Sequence, residues 1–198
     1  MKTKTKIGVA LVVVLAVIFG VVRHYWNDSV DIMAPAECKR AVIDFYNIGR
    51  ETPLSPEIDL PVGVGIENER VMWFLMELDG QLGTVKLERN FLGRHKIVSI
   101  SYGSGDFTDG AVVGDDAPYF LFGGRDMTGR IAEITLNHEG KTYTMTQPSG
   151  NTYFIFCEEL DPQTKDLNVS RGELRFYDEQ ENDITADYDL SGGGIGWG

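Results

Sequence analysis

The sequence predicts a mainly β protein of the α+β class: an amino-terminal transmembrane helix, one amphipathic helix with a β-meander, then a small β-sandwich. Three observations carry that expectation. Residues 7–22 form an uncharged apolar run, residues 35–48 repeat apolar side chains at three- and four-residue spacing, and from residue 70 the apolar period falls to two. At 198 residues, 42% hydrophobic and 24% charged, the chain is neither collagen-like nor wholly disordered. Its net charge is -12. Four of the 18 basic side chains precede residue 24 and none of the 30 acidic ones does, so the remainder is strongly acidic and offers no basic face for nucleic acid.

Ile7 to Val22 reads IGVALVVVLAVIFGVV. As a helix this run spans roughly 24 Å at about 1.5 Å per residue. Continuing through Arg23, His24, Tyr25 and Trp26 brings it to about 30 Å, the hydrocarbon thickness of a bilayer. Lys2, Lys4 and Lys6 belong on the cytoplasmic side, Arg23 can snorkel, and Tyr25 and Trp26 suit the interfacial aromatic belt. Residues 1–26 are therefore read as a single-pass signal-anchor, with the carboxyl-terminal domain extracytoplasmic. A cleaved signal peptide shares the basic-then-apolar pattern and would release the domain as a secreted protein. Either reading places the mature domain outside the cytoplasm.

Residues 27–34 read as a stalk. Pro35 suits a first helical position, and Cys38, Val42, Phe45 and Ile48 line one face opposite Glu37, Lys39, Arg40 and Asp44. Gly49 is placed to close that helix with a left-handed cap. Pro53, Pro56 and Pro61 make the next stretch an irregular connection. Arg70–Leu78, Gly83–Arg89 and Lys96–Tyr102 then read as strands, turned by Asp79-Gly80 and by Asn90-Phe91-Leu92-Gly93. Residues 35–105 thus form an α+β subdomain. Residues 106–117, rich in Gly and Asp, read as a loop or linker. Residues 118–190 hold candidate strands at Tyr119–Phe122, Ile131–Leu136, Lys141–Thr146, Thr152–Glu158 and Gly172–Tyr177, with an edge strand at Ile184–Leu190. That spacing suggests a sandwich. Residues 191–198 read as a flexible Gly-rich tail in which Trp197 is a candidate docking residue.

The segment DGQLGTVKLERNFLGRHKIVSISYG resembles the hairpin-and-strand pattern of small membrane-anchored or secreted β-rich proteins of Gram-positive bacteria. The later GRIAEITLNHEGKTYTM, GNTYFIFCEEL and GELRFYDEQENDI are similar to the Ig-like β-sandwich half of such proteins. The resemblance covers roughly residues 38–185 and implies architecture and location. It implies no activity and no catalytic residue.

Chemistry is scarce. His24, His95 and His138 are the whole histidine supply, none in a nucleophile or zinc motif, and no catalytic residue is expected. Asp106, Asp109, Asp115 and Asp116 fall on one glycine-rich stretch and form a candidate Ca2+ loop, although their spacing is not that of an EF-hand and a solvated acidic loop is the leading reading. Cys38 and Cys157, the only two cysteines, are a disulfide candidate outside the cytoplasm; two separate buried thiols are the other reading. Asn27-Asp28-Ser29 and Asn168-Val169-Ser170 match glycosylation acceptors, a coincidence in a bacterial protein. Aromatic residues fall on both parities of the strands, as in Trp73-Phe74 and Tyr153–Phe156, so some must meet a second layer or a partner. These features point to a non-enzymatic binding or envelope-associated module with the membrane and an envelope protein or polymer as partners. A hydrolase using carboxylates, with or without Ca2+, is the alternative.

Overall fold

The structure, a computed structural model, describes residues 2–66, 70–103, 105–114, 116–147 and 150–190, with side chains from Val12 onward. Among these residues it is mainly β, with two α-helices and ten strands. The helices are α1 (Lys2–Asn27) and α2 (Pro35–Tyr46). The strands are β1 (Ile58–Ile66), β2 (Val71–Leu78), β3 (Gln81–Arg89), β4 (His95–Tyr102), β5 (Phe107–Val113), β6 (Pro118–Arg125), β7 (Glu133–His138), β8 (Lys141–Thr146), β9 (Tyr153–Glu159) and β10 (Leu174–Tyr177). All pair antiparallel, in three sheets ordered β1-β2-β3-β4, β5-β6-β9 and β10-β7-β8.

The period-2 pattern dictates how the sheets stack. On β2, Phe74, Met76 and Leu78 face α2, where they pack with Cys38, Val42, Val85 and Leu87. The alternate residues Trp73 and Leu75 face the opposite way and meet Leu121, Ile155 and Leu82. On β6 the parity repeats: Leu121 faces β2, while Phe120 and Phe122 face the outer sheet and join Phe107, Phe154, Ile134, Leu136 and Phe176. Sheet β5-β6-β9 is therefore apolar on both faces and forms the middle of a stack. The order of layers is α2, the four-stranded sheet, the middle sheet, the outer sheet. The aromatic surface that the sequence leaves over is absorbed between these layers, and the two three-stranded sheets make the sandwich-like half.

Glycine sets the closest approach. A Cβ on Gly123 would lie 3.3 Å from a Leu75 methyl, and one on Gly124 would lie 2.4 Å from the Phe107 ring that crosses it. The hairpins β2–β3 and β7–β8 close through Asp79-Gly80 and Glu139-Gly140, each with φ +48° then +78°, the left-handed pair a two-residue hairpin requires.

Several expectations need correction. The proline-rich connection contains β1. Pro61 is accommodated because β1 is an edge strand whose register slips between Asp59 and Val62, so no ladder bond depends on it. The supposed loop at 106–117 contains β5, paired along its length with β6. Ile184–Leu190 is not an edge strand: residues 185–187 form a 3-10 turn, and only an isolated bridge joins Tyr177 to Asp183. Residues 27–34 are no free stalk, since Ser29 and Val30 are buried and Val30 bridges His95. Cys38 and Cys157 are both free thiols. Cys38 packs on α2 on one side of the four-stranded sheet and Cys157 in the layer on its other side. A sheet stands between them, and packed layers are about 10 Å apart, beyond the reach of a disulfide.

Among the described residues no helix is long and apolar enough to cross a membrane. The side chains of residues 1–11, which include Lys2, Lys4, Lys6 and the start of the apolar run, lie outside them. The tail at 191–198, with Trp197, also lies outside the described residues.

Candidate functional site

Two of the residues expected at a membrane interface, Tyr25 and Trp26, lie where α1 meets the four-stranded sheet. A helix end leaves carbonyls without partners, and here neighbouring groups satisfy them. The Ser29 hydroxyl donates to the Tyr25 and Trp26 carbonyls at 2.7 and 3.2 Å, and the Asp28 amide donates to that of His24 at 3.1 Å. Asn90, on the β3–β4 hairpin, donates from Nδ2 to the Tyr25 carbonyl at 3.3 Å. The chain then turns into a backbone bridge with β4: Val30 N–H to His95 O at 2.7 Å and His95 N–H to Val30 O at 3.0 Å.

Arg94 locks this joint. Its guanidinium donates to the Ser29 hydroxyl and carbonyl, pairs with Glu37 on α2 and lies 4.7 Å over the Trp26 ring. The turn that carries it is built by Asn90, whose Oδ1 accepts from the Leu92 and Arg94 amides. At the tip of the same turn the Phe91 ring stands edge-on to Tyr25, centroids 5.0 Å apart. Phe91 is 61% exposed, Trp26 54% and Met33 84%, so three apolar side chains crown the helix end. Exposed Arg70, Arg89 and Lys96 surround them. A cleft of about 320 Å³ beside Tyr25 is lined by His24, Asp28, Glu88, Arg89, Asn90 and Lys96. Burial, with Arg89 close by, holds His95 below the ordinary histidine value, although Asp31 opposes the shift. This corner can grip a surface through apolar contact and cationic hydrogen bonding.

The candidate Ca2+ ligands are not brought together. Asp106 accepts from Arg125 at 2.7 Å, Asp109 from Arg171 at 2.5 Å, Asp116 is exposed, and Asp115 lies outside the described residues. Among the described residues no group of three or more His, Cys, Asp or Glu side chains could hold a metal ion. Asp106 instead ends a seam between sheets, in which Arg125 also reaches Glu77 at 3.5 Å and Glu77 accepts from the Tyr153 hydroxyl. Arg171 ties β5 to the carboxyl-terminal segment through the Phe107 and Leu190 carbonyls. His138 is buried with both ring nitrogens engaged, Nδ1 with Glu173 at 3.2 Å and Nε2 with the Asp166 carbonyl at 2.7 Å. It braces a loop through Glu173 and the Asp166 carbonyl.

Of the residues singled out from the sequence, Tyr25 and Trp26 lie at this joint; Phe91, Arg70, Arg89 and Arg94 were not among them. The available signal was two large apolar residues, Phe91 and Leu92, in a hairpin turn that polar residues would ordinarily fill. Compared with protein-family models, with curated proteins and with solved structures, the chain matches none.

Proposed function

We propose that this chain is a signal-anchored extracytoplasmic protein, with α1 in the membrane and the stacked sheets displayed outside as a non-enzymatic, envelope-associated binding module. The likeness of its strand-and-turn pattern to small Gram-positive envelope proteins supports the same setting. The observation that carries the reading is the outward face of α1. Val12, Val13, Val14, Leu15, Val17, Ile18, Phe19 and Val21 are all exposed, on every side of the helix. A helix apolar all round belongs in a core or in lipid, and none of the body's core clusters includes α1. Removing such side chains from water is worth about 1.5–3 kcal/mol each. Lipid supplies that burial.

The body is acidic away from this end. Glu133, Asp178, Glu179 and Glu181 line a cleft of about 420 Å³ at the edge of the outer sheet. A basic or cation-bridged envelope partner fits that charge, and its binding weakens as salt rises. Fractionation with intact-mass measurement tests the location. A full-length chain in the membrane pellet, released by detergent but not by high salt, is expected. A chain shortened at its amino terminus and found in the medium refutes the anchor.

A further inference from the structure

We propose that the tip of the β3–β4 hairpin, Phe91 and Leu92 together with Met33, is a second membrane contact that seats in the headgroup layer of an anionic bilayer, with Arg70 and Arg89 meeting lipid phosphates. The inference rests on the anchor reading of α1 and adds to it an orientation and a lipid preference. The first argument is depth. The Phe91 and Tyr25 rings are 5.0 Å apart, and the interfacial region of one leaflet is about 5–7 Å thick. If α1 leaves the hydrocarbon at Tyr25, the hairpin tip lies at the same level.

The second argument is that the joint cannot swing the tip away. Asn90 holds the hairpin to the Tyr25 carbonyl, and Arg94 holds Ser29, Glu37 and the Trp26 ring at once. Large apolar side chains stand out in solvent at this corner: Phe91, Trp26 and Met33. An aromatic and aliphatic tip ringed by cations is the chemistry of an interface-inserting loop.

The third argument is charge. The described arginines in ion pairs are Arg94, Arg125, Arg130 and Arg171; Arg70 and Arg89 are in none of them. Together with Lys96 they border the tip, against Glu88 and Asp28, and Asp28 already lies 3.4 Å from His24. Glu67 and Glu69 lie outside the described residues. Elsewhere the sign reverses: residues 126–190 carry fourteen acidic and five basic side chains. An anionic surface therefore attracts this corner and repels the opposite end, which fixes an upright body.

The test uses the full-length chain reconstituted into vesicles of phosphatidylcholine with or without phosphatidylglycerol. A polarity-sensitive fluorophore is placed at Leu92→Cys or, on the β7–β8 hairpin, at Thr142→Cys. The native thiols stay silent, because Cys38 is buried and burial, with Glu158 beside it, pushes the Cys157 thiol up to about 12. The expected result is a blue-shifted emission quenched by brominated lipid at position 92 and neither effect at 142. Phe91→Ser is expected to abolish most of the quenching. Arg70→Gln and Arg89→Gln should each weaken insertion about fivefold in the anionic vesicles only. Equal, unquenched emission at 92 and 142 from a chain that pellets with the vesicles overturns the hairpin contact and leaves the anchor standing. A chain that stays in the supernatant refutes the anchor itself, and the hairpin contact with it.

Discussion

Leu75→Ala tests whether the three sheets are one folding unit. Leu75 is fully buried between the four-stranded sheet and the middle sheet, with a methyl group against Gly123. Truncating such a leucine costs about 2–5 kcal/mol, more where the neighbours cannot collapse. Here Gly123 has no side chain to move, and Leu82, Val62 and Tyr153 are held in strands on both sides. The upper half of that range is expected. In a body of this size each kcal/mol moves the melting temperature by about 2–4 °C, so a fall of about 7–20 °C follows. The informative reading is made far from the substitution, on β7 and β10, which Leu75 does not touch. Calorimetry of the full chain in detergent should show one transition, with an enthalpy of about 110 kcal/mol for residues 28–190 and equal van't Hoff and calorimetric values. Amide exchange at Ile134, Leu136 and Phe176 should accelerate by the same factor, about three-hundredfold or more, as exchange at Phe74 and Val85. Two transitions of about half that enthalpy, with only one moved by Leu75→Ala, would refute the reasoning: the layers would touch without sharing cooperativity.

Both thiols should resist alkylation at neutral pH in the folded chain and react fully in denaturant, and reduction should leave the intact mass unchanged; a gain of about two mass units on reduction would contradict the layer separation. Arg94→Ala should speed amide exchange at Val30 and His95, at a cost of about 2–3 kcal/mol to the joint, while leaving exchange at Phe176 unchanged. His138 makes stability pH-dependent. Burial lowers its pKa, but the Asp166 carbonyl and the Glu173 carboxylate together raise it above the ordinary 6.5. The stabilisation is thus fully present below pH 6.5 and is lost as pH rises through the higher folded value. Glu173→Gln should flatten the melting-temperature profile as pH rises above about 6.5, and an unchanged slope would refute the assignment.

Much of the fold was legible because strand period and turn chemistry are local. Asp79-Gly80 and Glu139-Gly140 announced their hairpins, and the strands they join were placed to within two residues. What failed was non-local. β1 contains a proline and exists because β2 offers it an edge; β5 reads as an acidic loop until Phe107 is seen lying across Gly124 and Arg171 capping Asp109. The disulfide failed for the same reason, since chain arithmetic counts two cysteines but not the sheet between them. At the site, the helix-end residues were readable from hydropathy. Arg94 was not, because its importance comes from Ser29, Glu37 and Trp26 arriving at one place from three segments.

The two-faced middle sheet also decides where a partner can bind. Both its faces are consumed internally, and the inner face of each flanking sheet is consumed with them, so the leftover aromatic residues offer no recognition surface. Among the described residues, two surfaces bear on recognition. One is the cationic, aromatic corner around Tyr25 and Phe91, which on the proposed reading the bilayer occupies. The other is the outer sheet, where β8 is an edge strand with Lys141, Thr142, Thr144 and Thr146 exposed, its Thr146 end lining the acidic cleft of Glu133 and Glu181. An edge strand with unpaired backbone groups takes up an extended segment by adding it to the sheet. A partner strand carrying basic side chains would satisfy both the backbone of β8 and the charge beside it. Glu133→Lys with Glu181→Lys should therefore weaken that binding without moving the melting temperature, whereas a partner indifferent to the reversal would place recognition elsewhere on the body.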